Sequence, residues 1–194
     1  MNENAIIILA AGASTRLGTP KQLLKYEGKT LITRMAEAAN EIAGKNVIVV
    51  TGNLSQEIEA ELHAQTVQFV HNPDWEEGMG SSIVAGVAYM QDAFPEITGV
   101  IVAVCDQPFV NAEVFQLLIS KADQDKIVAS QYADTIGTPV FFPLRYFPDL
   151  LRLKGVEGAK KLVESHQSDV ITVPFPLGSI DIDTPADYDN LLDS

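Results

Sequence analysis

Leu9-Ala10-Ala11-Gly12-Ala13-Ser14-Thr15-Arg16-Leu17-Gly18-Thr19-Pro20-Lys21 ends an apolar run, Ala5-Ile6-Ile7-Ile8-Leu9, and opens a polar loop that carries two glycines. The run has the length and β-branched content of a strand buried on both faces, as in a parallel sheet covered by helices. Ligands of such sheets bind beyond the carboxyl ends of the strands, where this loop begins. Gly12 and Gly18 let backbone N–H groups approach a ligand without a Cβ in the way, and Arg16 and Lys21 add fixed positive charge. That combination suits a phosphate chain. It is not a P-loop, because Thr19-Pro20-Lys21 follows Gly18 where a P-loop has lysine and then a hydroxyl residue.

Outward from the loop, strand and helix signals alternate. Leu31, Ile32, Met35, Ala36, Ala39 and Ile42 recur at helical spacing, with Gly44 placed to end the helix. Asn46-Val47-Ile48-Val49-Val50 reads as a second buried strand and Val67 to His71 as a third, with a short polar helix over Gln56 to His63 between them. Gly99 to Val104 is another apolar strand, followed by a helix at Val114 to Ala122 and a strand at Lys126 to Ser130. Connections too long for hairpins argue for mostly parallel pairing, an α/β fold. Thr138-Pro139-Val140-Phe141-Phe142-Pro143 carries prolines, which predict an edge strand. Ile180 to Asp183 reads as a short strand before a helix capped by Thr184, Pro185 and Asp187.

Composition narrows the function. The 194 residues fit one domain, 1–194, without linkers or repeats. A formal net charge of −13 argues against nucleic-acid or anionic-membrane contact, so an anionic ligand requires a local concentration of positive groups. Arg16, Lys21 and Lys25 supply one. The single cysteine, Cys105, excludes an internal disulfide and a cysteine zinc cluster, and with no signal-like or membrane-length apolar run the expected location is cytoplasmic. Cys105 ends an apolar strand and reads as packing, and Trp75 as a residue lying under a loop. His63, His71 and His166 lack metal-ligand spacing.

Two further segments carry chemistry. In Asn72-Pro73-Asp74-Trp75-Glu76-Glu77-Gly78-Met79-Gly80-Ser81-Ser82, the glycines precede a helix whose free N–H groups and serine hydroxyls form an anion or base-edge site, or are capped by those serines. Asp106, just past the end of the Gly99–Val104 strand, faces the same crevice as the opening loop. A carboxylate there suits Mg²⁺, which takes one or two protein carboxylates and completes its shell with phosphate oxygens and water.

The opening loop, Leu-Ala-Ala-Gly and then a spaced Ser, Arg, Gly and Lys, resembles the signature of nucleotidyltransferases of the nucleotide-diphospho-sugar transferase type. The Asn-Pro-x-Trp and Glu-Gly-Met-Gly-Ser-Ser stretch and the Asp106-Gln107-Pro108 triplet are similar to those of molybdenum cofactor cytidylyltransferase-like proteins. The resemblance implies a three-layer, mostly parallel Rossmann-like sheet and transfer of CMP from CTP to molybdopterin with release of pyrophosphate. It implies catalytic Arg16 and Lys21, nucleotide contacts from Leu9, Ala10, Ala11, Gly12, Gly18, Gly80 and Ser81, and Mg²⁺ on Asp106. Asp183 is implied as a second metal ligand, although helix capping alone explains its residue type. A molybdoenzyme or cofactor-delivery partner is implied as well.

The sequence departs from the family at Thr138, where His is more familiar in Gly-x-Pro, and at Val156 and Lys160, where Asp and Arg are usual. An apolar Val accepts no hydrogen bonds, and Lys lacks the forked contact of Arg. These changes leave the nucleotide half intact. They open two alternatives: another phosphorylated acceptor, such as a sugar or alditol phosphate, or a non-catalytic carrier.

Overall fold

The computed structural model describes residues 3–14 and 17–193. In chain order the strands are β1 (Asn4–Leu9), β2 (Lys25–Tyr26), β3 (Lys29–Thr30), β4 (Val47–Thr51), β5 (Gln68–His71), β6 (Gly99–Val104), β7 (Ile127–Tyr132), β8 (Thr135–Pro143) and β9 (Val170–Pro174). The α-helices are α1 (Leu31–Ala43), α2 (Ser55–Glu61), α3 (Met79–Ala93), α4 (Ala112–Ser120), α5 (Phe147–Leu150), α6 (Ala159–Ser165) and α7 (Pro185–Leu192). Among the described residues no helix is long and apolar enough to cross a membrane.

The main sheet has seven strands in the order β5-β4-β1-β6-β8-β7-β9. Every neighbouring pair is parallel except those involving β8, which runs antiparallel to β6 and to β7. Because side chains alternate along a strand, β1 feeds two cores. Ile7 and Leu9 pack with Ile83 and Val87 of α3 and, further along the same face, with Phe147 of α5 and Val163 of α6. Ile6 and Ile8 face Ile32 and Met35 of α1, Ile58 of α2 and Phe115 of α4. Helices therefore cover both faces of the sheet, giving the three layers expected from an apolar run with no polar face.

Order within the sheet places the site. The chain moves from β1 to β4 and β5 on one side, then returns to pair β6 with the other side of β1. Between β1 and β6 the strand order reverses, and loops leaving the carboxyl ends of those strands diverge to open a crevice.

Two expectations fail here. β8 is an interior strand, with Phe141 paired to Ile101 on one side and to Val128 on the other. Its proline is tolerated because the β7 register shifts between Ala129 and Ser130, which takes Pro139 out of the ladder at a bulge. The Ser130 hydroxyl donates to the Pro139 carbonyl at 2.8 Å. Ile180 to Asp183, for its part, is not a sheet strand. The edge position belongs to β9, whose mixed burial gives no clean alternation to read.

Candidate active site

The loop after β1 begins with one more sheet contact, Ala10 N–H donating to the Val50 carbonyl at 2.9 Å, and then leaves the ladder. A short 3₁₀ turn at Lys21–Leu23 brings the chain back beneath the crevice. From there the Lys21 ammonium reaches Asp106 Oδ2 at 2.6 Å and Asp183 Oδ1 at 3.2 Å. Asp106 stands at the end of β6. Asp183 is brought to it by the Ile182 N–H, which donates to the Asp106 carbonyl at 2.9 Å.

Local capping separates the roles of the neighbouring aspartates. Thr184 and Asp187 form a complete capping box at the start of α7, so Asp187 supplies the cap and the Asp183 carboxylate is turned to Lys21. Burial disfavours charge on Lys21, but Asp106, through its charge and hydrogen bond, and Asp183 outweigh it and hold the ammonium above the usual lysine range. The Cys105 thiol next to this cluster is pushed up to about 12, first by burial and then by the Asp106 charge. A thiol held neutral is no nucleophile.

A cleft of about 290 Å³ opens over this cluster, lined by Leu9, Ala11, Gly12, Lys21, Ser82 and Asp106 among others. Nothing lies within 4 Å of where a Cβ on Gly12 would stand. Ala10 is buried beneath the cleft, at 1% exposure. Trp75 packs on Gly52, as a residue lying under a loop does, and also forms part of the cleft wall. Gly18 is described at the loop's outer bend, whereas Arg16 lies outside the described residues.

The second glycine segment is built differently from its sequence reading. The Gly80 N–H donates to the Gly155 carbonyl at 2.9 Å, so it is spent within the protein. The Ser81 hydroxyl donates to the carbonyls of Asp74 at 2.8 Å and Gly78 at 2.9 Å, while Ser82 lines the cleft. Gly80 and Ser81 thus hold the start of α3 in place, and Gly78, Met79 and Ser82 are the residues of this turn that line the cleft. Gly78, at φ 121°, adopts a backbone that side-chain-bearing residues avoid, and a Cβ there would strike the Gly155 backbone. Asn72 donates to both serine hydroxyls, at 2.9 and 3.0 Å, and fixes the turn.

A second cleft, of about 370 Å³, shares the Met79–Val104–Asp106 wall with the first. Thr138, Val156 and Lys160, the three family departures, all line it together with Tyr132 and Asp181. Asp181 is raised above the usual carboxylate range by burial first, then by the charges of Asp106 and Asp183. The Tyr132 phenol is raised by burial, against hydrogen bonds to Gln107 and Thr138. Gln107 in turn donates to the Gly178 carbonyl at 2.9 Å. Gln22, Gln107 and Tyr132 were not legible as site residues, since nothing in sequence spacing distinguishes a buried glutamine or tyrosine from a solvated one.

Two carboxylates converging on one cationic point match the donor set of a hard divalent cation that takes its remaining ligands from phosphate and water. Among the described residues no group of three or more His, Cys, Asp or Glu is arranged around a common metal position. An ion on Asp106 and Asp183 would have to take its remaining ligands from substrate and water.

A MobA-like NTP transferase domain model matches residues 6–170. Purine catabolism protein PucB of Bacillus subtilis is 31% identical over 193 residues, covering 94% of this chain and 93% of PucB. Nicotine blue oxidoreductase of Paenarthrobacter nicotinovorans is 34% identical over 128 residues, 66% of this chain and 61% of that one. Among solved structures, Rv0371c of Mycobacterium tuberculosis superposes with a TM-score of 0.83 at 31% identity, covering 99% of this chain and 98% of its own. The same protein solved in complex with manganese gives a TM-score of 0.80 at 29% identity, covering 99% of both chains.

Proposed function

The chain belongs to the MobA-like NTP transferase family, a family of nucleotidyltransferases, and we propose that it transfers CMP from CTP to molybdopterin with release of pyrophosphate. The observation that carries this reading is the shared wall: Asp106 lines both clefts, and Lys21, which lines the first, pairs with Asp106 and with Asp183. A donor in one and an acceptor in the other would react across Asp106.

In this reading Lys21, with Arg16, binds the triphosphate and stabilises the charge that develops as pyrophosphate leaves. Leu9, Ala11, Gly12 and Ser82 form the surface against which the nucleotide lies. Mg²⁺, held by Asp106 and Asp183, would supply further neutralisation of phosphate charge. The acceptor phosphate is ionised near neutral pH, so no general base is required and catalysis is positioning plus electrostatics. A neutral, buried Cys105 fits that chemistry. The Ala11 methyl in the nucleotide cleft favours the smaller pyrimidine over a purine.

Thr138, Val156 and Lys160 in the second cleft motivate another phosphorylated acceptor, a sugar or alditol phosphate, as a second reading. The test is incubation with each NTP, Mg²⁺ and a panel of acceptors, following pyrophosphate and the dinucleotide product. Pyrophosphate and a cytidylylated pterin are expected with CTP and molybdopterin together. Product only with a sugar phosphate selects the second reading, and nucleotide binding without pyrophosphate from any acceptor selects a carrier.

A further inference from the structure

Gln22, beside Lys21, has no part in the mechanism above. It is 1% exposed, and a buried primary amide must satisfy its donors and acceptor within the protein. Its Nε2 donates to the Ala10 carbonyl at 2.9 Å and to the Gly12 carbonyl at 2.7 Å. Its Oε1 accepts from the Ser14 hydroxyl at 3.4 Å, and Ser14 Oγ accepts from the Lys21 N–H at 3.0 Å. One side chain thus grips the outgoing arm of the loop at alternate residues and ties it to the returning arm that bears the ammonium. Ser14 sits at φ 50°, a conformation that a side-chain-bearing residue keeps only when its surroundings hold it.

Peptide planarity gives the consequence. Across a trans peptide the N–H of the next residue points opposite to the carbonyl. With the Ala10 and Gly12 carbonyls drawn to Gln22, the N–H groups of Ala11 and Ala13 face away from it. Among the described residues neither amide donates to a protein acceptor. Both residues line the nucleotide cleft, on either side of Gly12.

We infer that Gln22 is the positioning residue of the nucleotide loop, turning the Ala11 and Ala13 amides outward as donors to triphosphate oxygens. Successive N–H groups held in this way make an anion-binding concavity. The inference rests on the nucleotide reading of this cleft. It adds that affinity for the triphosphate depends on a side chain that need not touch it.

The test is CTP binding by titration calorimetry and steady-state kinetics on the intact chain and on Gln22→Met and Gln22→Glu. Methionine keeps the length and loses both donors. Binding is expected to weaken and KM for CTP to rise about tenfold, the worth of one to two hydrogen bonds, with kcat and the acceptor KM little changed. In Gln22→Glu the ionised carboxylate only accepts, so CTP affinity relative to the parent protein at the same pH should recover as pH is lowered and a donor returns. A folded Gln22→Met that binds CTP within about twofold of the parent overturns the inference while leaving the nucleotide reading standing. Should Gln22→Met fail to fold, a Gln22→Glu affinity that is flat with pH relative to the parent overturns it instead. Failure of the unsubstituted protein to bind any NTP overturns the nucleotide reading, and this inference with it.

Discussion

The two clefts that meet at Asp106 are built from opposite materials. The side proposed to hold the nucleotide rests on β5, β4, β1 and β6, four parallel strands of which the inner three are almost wholly buried, and its loop is pinned by internal hydrogen bonds to Gln22. The other side rests on β8, β7 and β9, with an antiparallel strand, a bulge at Pro139 and an apolar rim where Val156 is 89% exposed. In the proposed reaction the stiff side holds the part common to all nucleotidyl transfers. On the looser side lie all three departures from the family, as expected if acceptor choice is varied on loops while a rigid sheet holds the phosphates.

Substitution should cost most at the seam between the clefts. Lys21→Ala and Asp106→Ala should each lower pyrophosphate release by about 10² to 10³ or more, the cost of removing a charge stabiliser at a transferring phosphoryl group. Unchanged melting temperatures would show that chemistry and not folding was lost; near-normal turnover would remove the residue from the mechanism. Next in size is the contact between the halves. A Cβ on Gly80 would stand 3.0 Å from the Lys154 backbone, so Gly80→Ala should cost about 1–3 kcal/mol of stability in urea unfolding by pushing that loop off α3.

Specificity changes should be smaller and should stay on their own side. Ala11→Gly should reduce the preference for CTP over GTP by about tenfold, the order of one methyl in a fitted pocket, measured as a ratio of kcat/KM values. Tighter GTP than CTP binding in the unsubstituted protein would refute the methyl argument outright. Lys160→Arg, which restores the family's forked cation, should change the acceptor KM by a few-fold, on the order of one exposed charged contact, and leave the CTP KM alone. A shift in the CTP KM of equal size would mean the two clefts are not separate.

How much was legible differs between the halves for the same reason. Ala5–Leu9 and Gly99–Val104 announce buried strands because a strand covered on both faces has no polar alternation to blur it, and Gly99 to Val104 was read to the residue. β8 was misread because proline disfavours interior strands, and only a partner strand able to shift register could accommodate it. β9 was missed, and Ile180–Asp183 mistaken for a strand, because half-exposed segments carry little periodicity. Gly80 and Ser81 were read as ligand donors, yet their hydrogen bonds go to Gly155, Asp74 and Gly78, which a sequence does not reveal.

A covered, mostly parallel sheet, a loop of small residues and cations after its first strand, and a carboxylate after β6 are all readable along the chain, because burial and backbone freedom are written locally in residue type. Folding alone brings Lys21 to Asp106 and Asp183, which lie 85 and 162 residues away, and turns Gln22 inward. Those contacts depend on strand order, and strand order is set by which apolar surfaces pack together across the whole chain.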